Sequence, residues 1–319
     1  MSYAGPEFDP PARRRPGRRL LAVVAGALAV GALAGWLVVE GAGGTDGGGT
    51  AAPSVSASAG DVRGSGAPAP ADPSGPPSAD DDRRPGADAT ATTAAAPLRG
   101  KVVVIDPGHN PGNGRHTAEI NRQVDIGTGR KECDTTGTET NDGYAEARFT
   151  LDVARRMRTL LRAQGATVKL TQDADRPFGP CIDERARIGN EAGADAVVSL
   201  HADGSGAGNR GFHVILPGEV RAGAADTRAI VGPSRELGER IAGNFVRATG
   251  SAPSNYVGDG TGLVTREDLG GLNLSTVPKV FIECGNMRDS KDAALLTSGA
   301  WRQKAARGIS DGIVSFLRG

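Results

Sequence analysis

Three short apolar runs in this 319-residue chain each stop on a side chain able to do chemistry. Val102-Val103-Val104-Ile105 runs into Asp106-Pro107-Gly108-His109. Ala196-Val197-Val198-Ser199-Leu200 ends at His201, and Lys279-Val280-Phe281-Ile282 ends at Glu283. Short apolar runs rich in β-branched residues and bounded by turn residues read as buried strands. Between them, Phe149, Val153, Met157, Leu160 and Leu161 share one helical face over 144–164, with Asp142 as N-cap and Gly165 as the stop. Further strands are expected at 167–171 and 211–216, and further helices at 182–191, 235–249 and 300–317. Residues 110–143 and most of 251–278 show no clear period. Strands alternating with helices imply an α/β fold: a single layered domain with a mostly parallel (mixed) central sheet flanked by helices. Ligands of such sheets gather beyond the carboxyl ends of the strands. That rule brings His109, His201 and Glu283 together, and Glu146, in the first turn after the long loop, can join them.

The folded domain is expected over 98–319. Before it, residues 1–19 carry a basic cluster (Arg13, Arg14, Arg15, Arg18, Arg19), and Leu20 to Val39 is free of charge. Twenty helical residues span about 30 Å, the thickness of a bilayer core. Arginines ahead of the span place the N-terminus in the cytoplasm and the remainder outside. Residues 20–39 therefore read as a transmembrane signal-anchor helix, with a cleaved signal peptide ending near Ala32-Leu33-Ala34 as the alternative. Residues 40–97 are Gly, Ala, Ser, Pro, Thr and Asp with few large apolar side chains. They read as a disordered linker, because such a segment buries too little surface to offset its ordering entropy. The expected location is the cell membrane, single-pass with the folded domain extracytoplasmic, or secreted if the segment is cleaved.

Equal numbers of basic and acidic residues, 37 each, argue against a nucleic-acid partner. The three cysteines form no C-x-x-C, which leaves no thiolate zinc site or thioredoxin motif. Cys133 and Cys181 lie in loop sequence and Cys284 follows an apolar strand. A Cys133–Cys181 disulfide and a buried free Cys284 are expected in an exported domain, three free thiols being the alternative. No H-E-x-x-H helix and no G-x-S-x-G elbow are present.

Two imidazoles, one carboxylate and an open position describe a catalytic zinc site, and a second carboxylate nearby can act as general base and acid. His109, Glu146 and His201 fit the ligands, and Glu283 fits the base. Taken singly, the histidines also fit turn or surface residues, and Glu146 fits a solvated carboxylate favoured by the helix dipole. Glu283, between Ile282 and Cys284, is expected to be partly buried, where a carboxylate needs a partner. His116 reads as a solvent-exposed loop residue and His213 as part of the polar face of a strand.

On these residues the chain resembles the zinc-dependent N-acetylmuramoyl-L-alanine amidases, peptidoglycan hydrolases of the amidase_3 type. The matching pieces are V-V-I-D-P-G-H at 103–109, N-D-G-Y-A-E-A-R-F-T-L at 141–151, A-D-A-V-V-S-L-H-A-D at 194–203 and P-K-V-F-I-E-C-G-N at 278–286. Arg185 and Asn190 also sit where the family has R…AN before its second histidine. The Gly/Ala/Arg-rich composition is similar to actinobacterial members. The resemblance implies Zn2+ held by His109, Glu146 and His201, and Glu283 as the catalytic carboxylate. It implies hydrolysis of the amide between N-acetylmuramic acid and L-alanine in peptidoglycan or its fragments, by a monomeric catalytic domain. The alternatives are another zinc peptidase or deacetylase on the same scaffold, or a non-catalytic wall-binding module. Two departures stand out: Glu283-Cys284-Gly285-Asn286 replaces the family's E-x-G-F, and 110–143 is long enough to act as a lid pinned by the disulfide.

Overall fold

The computed structural model describes residues 96–319. The expected basic terminus and apolar span, and all but the last residues of the expected linker, lie outside the described residues. Within 96–319 no helix is long and apolar enough to cross a membrane.

The strands are β1 (Val102–Pro107), β2 (Gln123–Asp125), β3 (Arg130–Glu132), β4 (Thr167–Leu170), β5 (Ala196–Asp203), β6 (His213–Pro217), β7 (Arg221–Ala222), β8 (Ala225–Asp226), β9 (Leu263–Arg266) and β10 (Lys279–Asn286). The α-helices are α1 (Thr117–Ile120), α2 (Glu146–Ala163), α3 (Ile182–Glu191), α4 (Val231–Thr249), α5 (Gly270–Asn273), α6 (Ser290–Leu296) and α7 (Gly299–Arg318). Six strands form one sheet in the order β4-β1-β5-β10-β6-β9. All neighbours run parallel except β10 and β6, so the sheet is mixed and mostly parallel. The hairpins β2-β3 and β7-β8 stand apart from it.

The alternation of side chains along each strand decides what each face meets. Val103, Ile105, Val198, Leu200, Val280 and Ile282 point to one face. There they form the main core with Phe149, Val153 and Met157 of α2, Leu237, Ile241 and Phe245 of α4, and Ile309 and Ile313 of α7. The alternate positions, Asp106, Ser199, His201, Lys279, Phe281 and Glu283, point to the opposite face. A small apolar cluster of Val104, Ala194 and Val197 lies there, against Ile188 of α3. The chain thus sets a dry core on one side of the sheet and polar residues on the other.

Several elements depart from the sequence reading. Helix α2 begins at Glu146 and has no side-chain cap from Asp142; its N-cap is Ala145, and Glu146 N donates instead to Thr138 O at 2.9 Å. Helix α4 begins at Val231, ahead of Pro233. A proline in the first turn removes only an N–H that would have had no partner within the helix. Strand β5 runs on past His201 to Asp203, because β10 continues beside it as far as Asn286. The segment 110–143 holds a short 3-10 turn, α1 and the β2-β3 hairpin.

Candidate metal centre

β1 ends in a conformation that L-residues seldom adopt: His109 has φ +60°. Such strain persists only where the surroundings over-determine it. Here Arg185 of α3 does so. Its Nη1 donates to Asp106 Oδ1 and to Pro107 O, each at 2.7 Å, and its Nη2 donates to His109 O at 3.2 Å and Asp134 Oδ2 at 2.9 Å. Its Nε donates to Pro180 O at 2.9 Å. The guanidinium is buried, and every one of these acceptors belongs to the turn that presents His109 or to the segments packed on it.

Asp134 and Thr135 fix the ring. His109 Nδ1 lies 3.1 Å from Thr135 O and 3.2 Å from Asp134 Oδ1. A carbonyl only accepts, so Nδ1 carries the proton and Nε2 is left as a lone pair. That lone pair faces Glu146 Oε2 at 3.3 Å. The same Oε2 accepts from Thr138 N at 2.9 Å. Glu146 Oε1 meets His201 Nδ1 at 2.9 Å and accepts from Ala202 N at 3.2 Å. His201 itself is stacked on Phe281, with ring centroids 5.3 Å apart and planes within 12°.

One ligand atom from each of His109, Glu146 and His201 falls within 4.8 Å of the others. A bare Nε2 opposite a carboxylate oxygen is repulsive unless something positive joins them. Without a metal that is a proton. Burial pulls the His109 imidazole down, but the Glu146 charge and the Asp134 hydrogen bond override it and push its pKa up to about 10. Burial would likewise raise the Glu146 carboxyl, yet His109 and His201 hold it well below the usual carboxylate range. Two imidazoles, His109 oriented by a carboxylate and a carbonyl and His201 by its stack on Phe281, plus one buried carboxylate, form the donor set that suits a divalent transition metal.

Glu283 stands on β10 directly opposite His201 on β5 and shares its face. Its Oε2 is buried with no hydrogen-bond partner. Burial, followed by the charges of Glu146 and Asp203, raises its pKa well above the ordinary value. All four residues singled out from the sequence therefore reach one edge of the sheet. Sequence reasoning missed Asp134, Thr135 and Thr138, which orient the cluster from within 110–143. The one available signal was the adjacency of Asp134 to Cys133. That cysteine is disulfide-bonded to Cys181, which precedes α3, and Cys284 is free and buried as expected. The other two histidines differ from expectation. His116 is half-buried against Phe178, with ring centroids 5.2 Å apart, and His213, on the polar face, is 5 % exposed.

A mixed α/β sheet with a buried His-Glu-His cluster at its carboxyl edge and a free carboxylate beside it defines a class, a single layered α/β domain with a candidate metal centre. The family model of the N-acetylmuramoyl-L-alanine amidases matches residues 103–315. The chain is 42% identical over 230 residues to the N-acetylmuramoyl-L-alanine amidase Rv3717 of Mycobacterium tuberculosis, covering 72% of this chain and 91% of that relative. The crystal structure of the amidase Ami1 from Mycobacterium smegmatis superposes with a TM-score of 0.64 at 40% identity, over 69% of this chain and 98% of that one. Ami1 from Mycobacterium abscessus gives 0.63 at 41%, over 69% and 100%. The chain belongs to the N-acetylmuramoyl-L-alanine amidase family.

Proposed function

We infer that this protein hydrolyses the amide between the lactyl carbonyl of N-acetylmuramic acid and L-alanine in peptidoglycan or its fragments, with Zn2+ held by His109, Glu146 and His201. The observation that carries the metal assignment is the His109 ring, proton on Nδ1 and lone pair facing Glu146 Oε2 at 3.3 Å. When bound there, zinc supplies a Lewis acid that polarises the carbonyl and makes water acidic. The remaining chemistry falls to the side chains. Glu283 Oε2, free of hydrogen bonds, accepts the proton of the attacking water as the new C–O bond forms. It returns that proton to the nitrogen as the C–N bond breaks, leaving a lactyl carboxylate and a free L-alanine amine. Its buried setting beside two carboxylates suits it to hold a proton between the two events. A cleft of about 500 Å3, lined by Asn110, Thr136, Thr138 and Ala145, opens beside the cluster.

We further propose that residues 1–19, 20–39 and 40–97 act as cytoplasmic terminus, membrane anchor (or cleaved signal) and linker for a monomeric catalytic domain at 98–319. The arginine cluster ahead of the uncharged Leu20–Val39 run supports an extracytoplasmic orientation.

The test is incubation of the purified chain with muramyl dipeptide or cell wall, with and without a chelator. New L-alanine amino termini should appear only with metal, and zinc should be bound at one per chain. Products that leave the muramyl–alanine bond intact would sink the amidase reading.

A further inference from the structure

Glu283 has a histidine on each side. In the parallel pairing of β5 with β10 its neighbour is His201; in the antiparallel pairing of β10 with β6 its neighbour is His213. Directly opposed residues of adjacent strands project from the same face, with Cβ atoms about 4.5–5.5 Å apart. His213 thus flanks Glu283 on the side away from His201. Both carry a buried polar atom bonded to nothing, Oε2 of Glu283 and Nδ1 of His213. A buried polar atom left without a partner is destabilising. Two of them at facing positions make little sense as packing. They make sense as a pair that closes during turnover, since catalytic hydrogen bonds are often poorly aligned until substrate is bound.

The surroundings hold the imidazole in place. Tyr256 stands edge-on to the His213 ring, with centroids 5.9 Å apart, and its hydroxyl donates to Asp203 Oδ2 at 2.6 Å. The titratable and charged groups facing His213 are Glu283 of β10, its partner in register, Tyr256 of the loop before β9, Asp203 of β5 and Arg266 of β9, of which Asp203 and Arg266 act on its charge. Burial keeps the ring neutral, so it has one N–H to donate.

We propose that His213 is a positioning residue for Glu283, its Nδ1–H donating to the carboxylate during turnover and holding it toward the scissile amide from the side opposite His201. The inference rests on Glu283 as the proton-handling carboxylate.

The experiment measures kcat, KM and bound zinc of the full chain on a muropeptide. Glu283→Gln should lower kcat by about a hundredfold or more. If it does not, the assignment of Glu283 fails, independently of His213. His213→Leu, which fills the space without a donor, should lower kcat by about tenfold or more with KM and zinc unchanged. His213→Asn, which keeps an N–H near the position of Nδ1, should retain most of the activity. Wild-type kcat in the leucine variant, or equal losses in both variants, overturns the proposal. A second readout does not depend on variants of His213: with product bound, its imidazole N–H proton resonance should move between wild type and Glu283→Gln. An unmoved resonance also overturns it.

Discussion

Arg185 and Asp106 meet at 2.7 Å with both groups almost wholly removed from water. Asp106 lies on β1 three residues before His109, so this pair clamps the strand end from which the candidate metal centre begins. Burying two charges gains little net stability over an apolar alternative, whereas removing one partner strands the other. The pair is therefore better understood as a device for fixing the His109 turn than as a source of stability.

Arg185→Leu should destabilise the domain by about 3–5 kcal/mol, read as a lower denaturation midpoint in urea. Arg185→Lys should recover little of that. A point-charge ammonium cannot reach Asp106, Asp134, Pro180 O, Pro107 O and His109 O in one fork. A lysine variant with wild-type stability and zinc affinity would show that the turn is held by something else.

Acid should expose the same clamp. Burial would raise the Asp106 carboxyl, but Lys279 and Arg185, with the Thr171 and Arg185 hydrogen bonds, hold it well below the ordinary carboxylate range. The unfolded chain titrates near the ordinary value of about 3.9. A carboxyl depressed in the folded state contributes stability that is complete above that value and is lost as pH falls toward the folded pKa, because the unfolded chain then binds more protons. The stability gap between wild type and Asp106→Asn, measured by urea denaturation, should narrow from pH 7 to pH 3. A constant gap would mean that the Asp106 carboxyl titrates alike in the folded and unfolded chains.

Much of this was legible in the sequence because the relevant signals are local. Apolar runs gave β1, β5 and β10, and α3 was readable over Ile182–Glu191 because its apolar pattern is bounded by Pro180 and Gly193. His109, His201 and Glu283 followed from a general rule about strand ends. Strand β9 was not readable: Leu263–Arg266 is four residues at a sheet edge, with no buried position, and exists through its register with β6. Asp134 and Thr135 were not readable either, since what they do depends on a residue 25 positions away. The burial of His213 was hidden for the same reason, as the loop bearing Tyr256 is what stands against it.

Gly108 looked like half of a Pro-Gly turn, but its φ is not in the left-handed region. Its requirement is space. A Cβ there would lie 2.4 Å from His201 Cε1 and 2.5 Å from Leu200 O. The carbonyl belongs to a central strand and cannot yield, so the ring must. Gly108→Ala should shift His201 off Phe281 and weaken zinc binding by about tenfold or more in competitive chelator titration. Unchanged zinc affinity would show that the alanine is absorbed by β1 instead.

The Cys133–Cys181 disulfide closes a loop of sequence separation 48 around the segment that orients the candidate metal ligands. Chain entropy for such a loop corresponds to about 4 kcal/mol, with engineered and natural cases commonly giving about 2–4 kcal/mol. Its removal should act on stability far more than on geometry. Ile182 N still donates to Cys133 O at 2.7 Å, and Arg185 still holds Asp134 at 2.9 Å, so Asp134 and Thr135 keep their places against His109. The double variant Cys133→Ala/Cys181→Ala should therefore lose about 2–4 kcal/mol in urea denaturation while the folded fraction keeps its zinc affinity and most of its kcat. The opposite pattern, intact stability with lost zinc, would make the disulfide itself the element that sets the His109 ring. The two non-covalent ties would then be consequences of it rather than an independent hold.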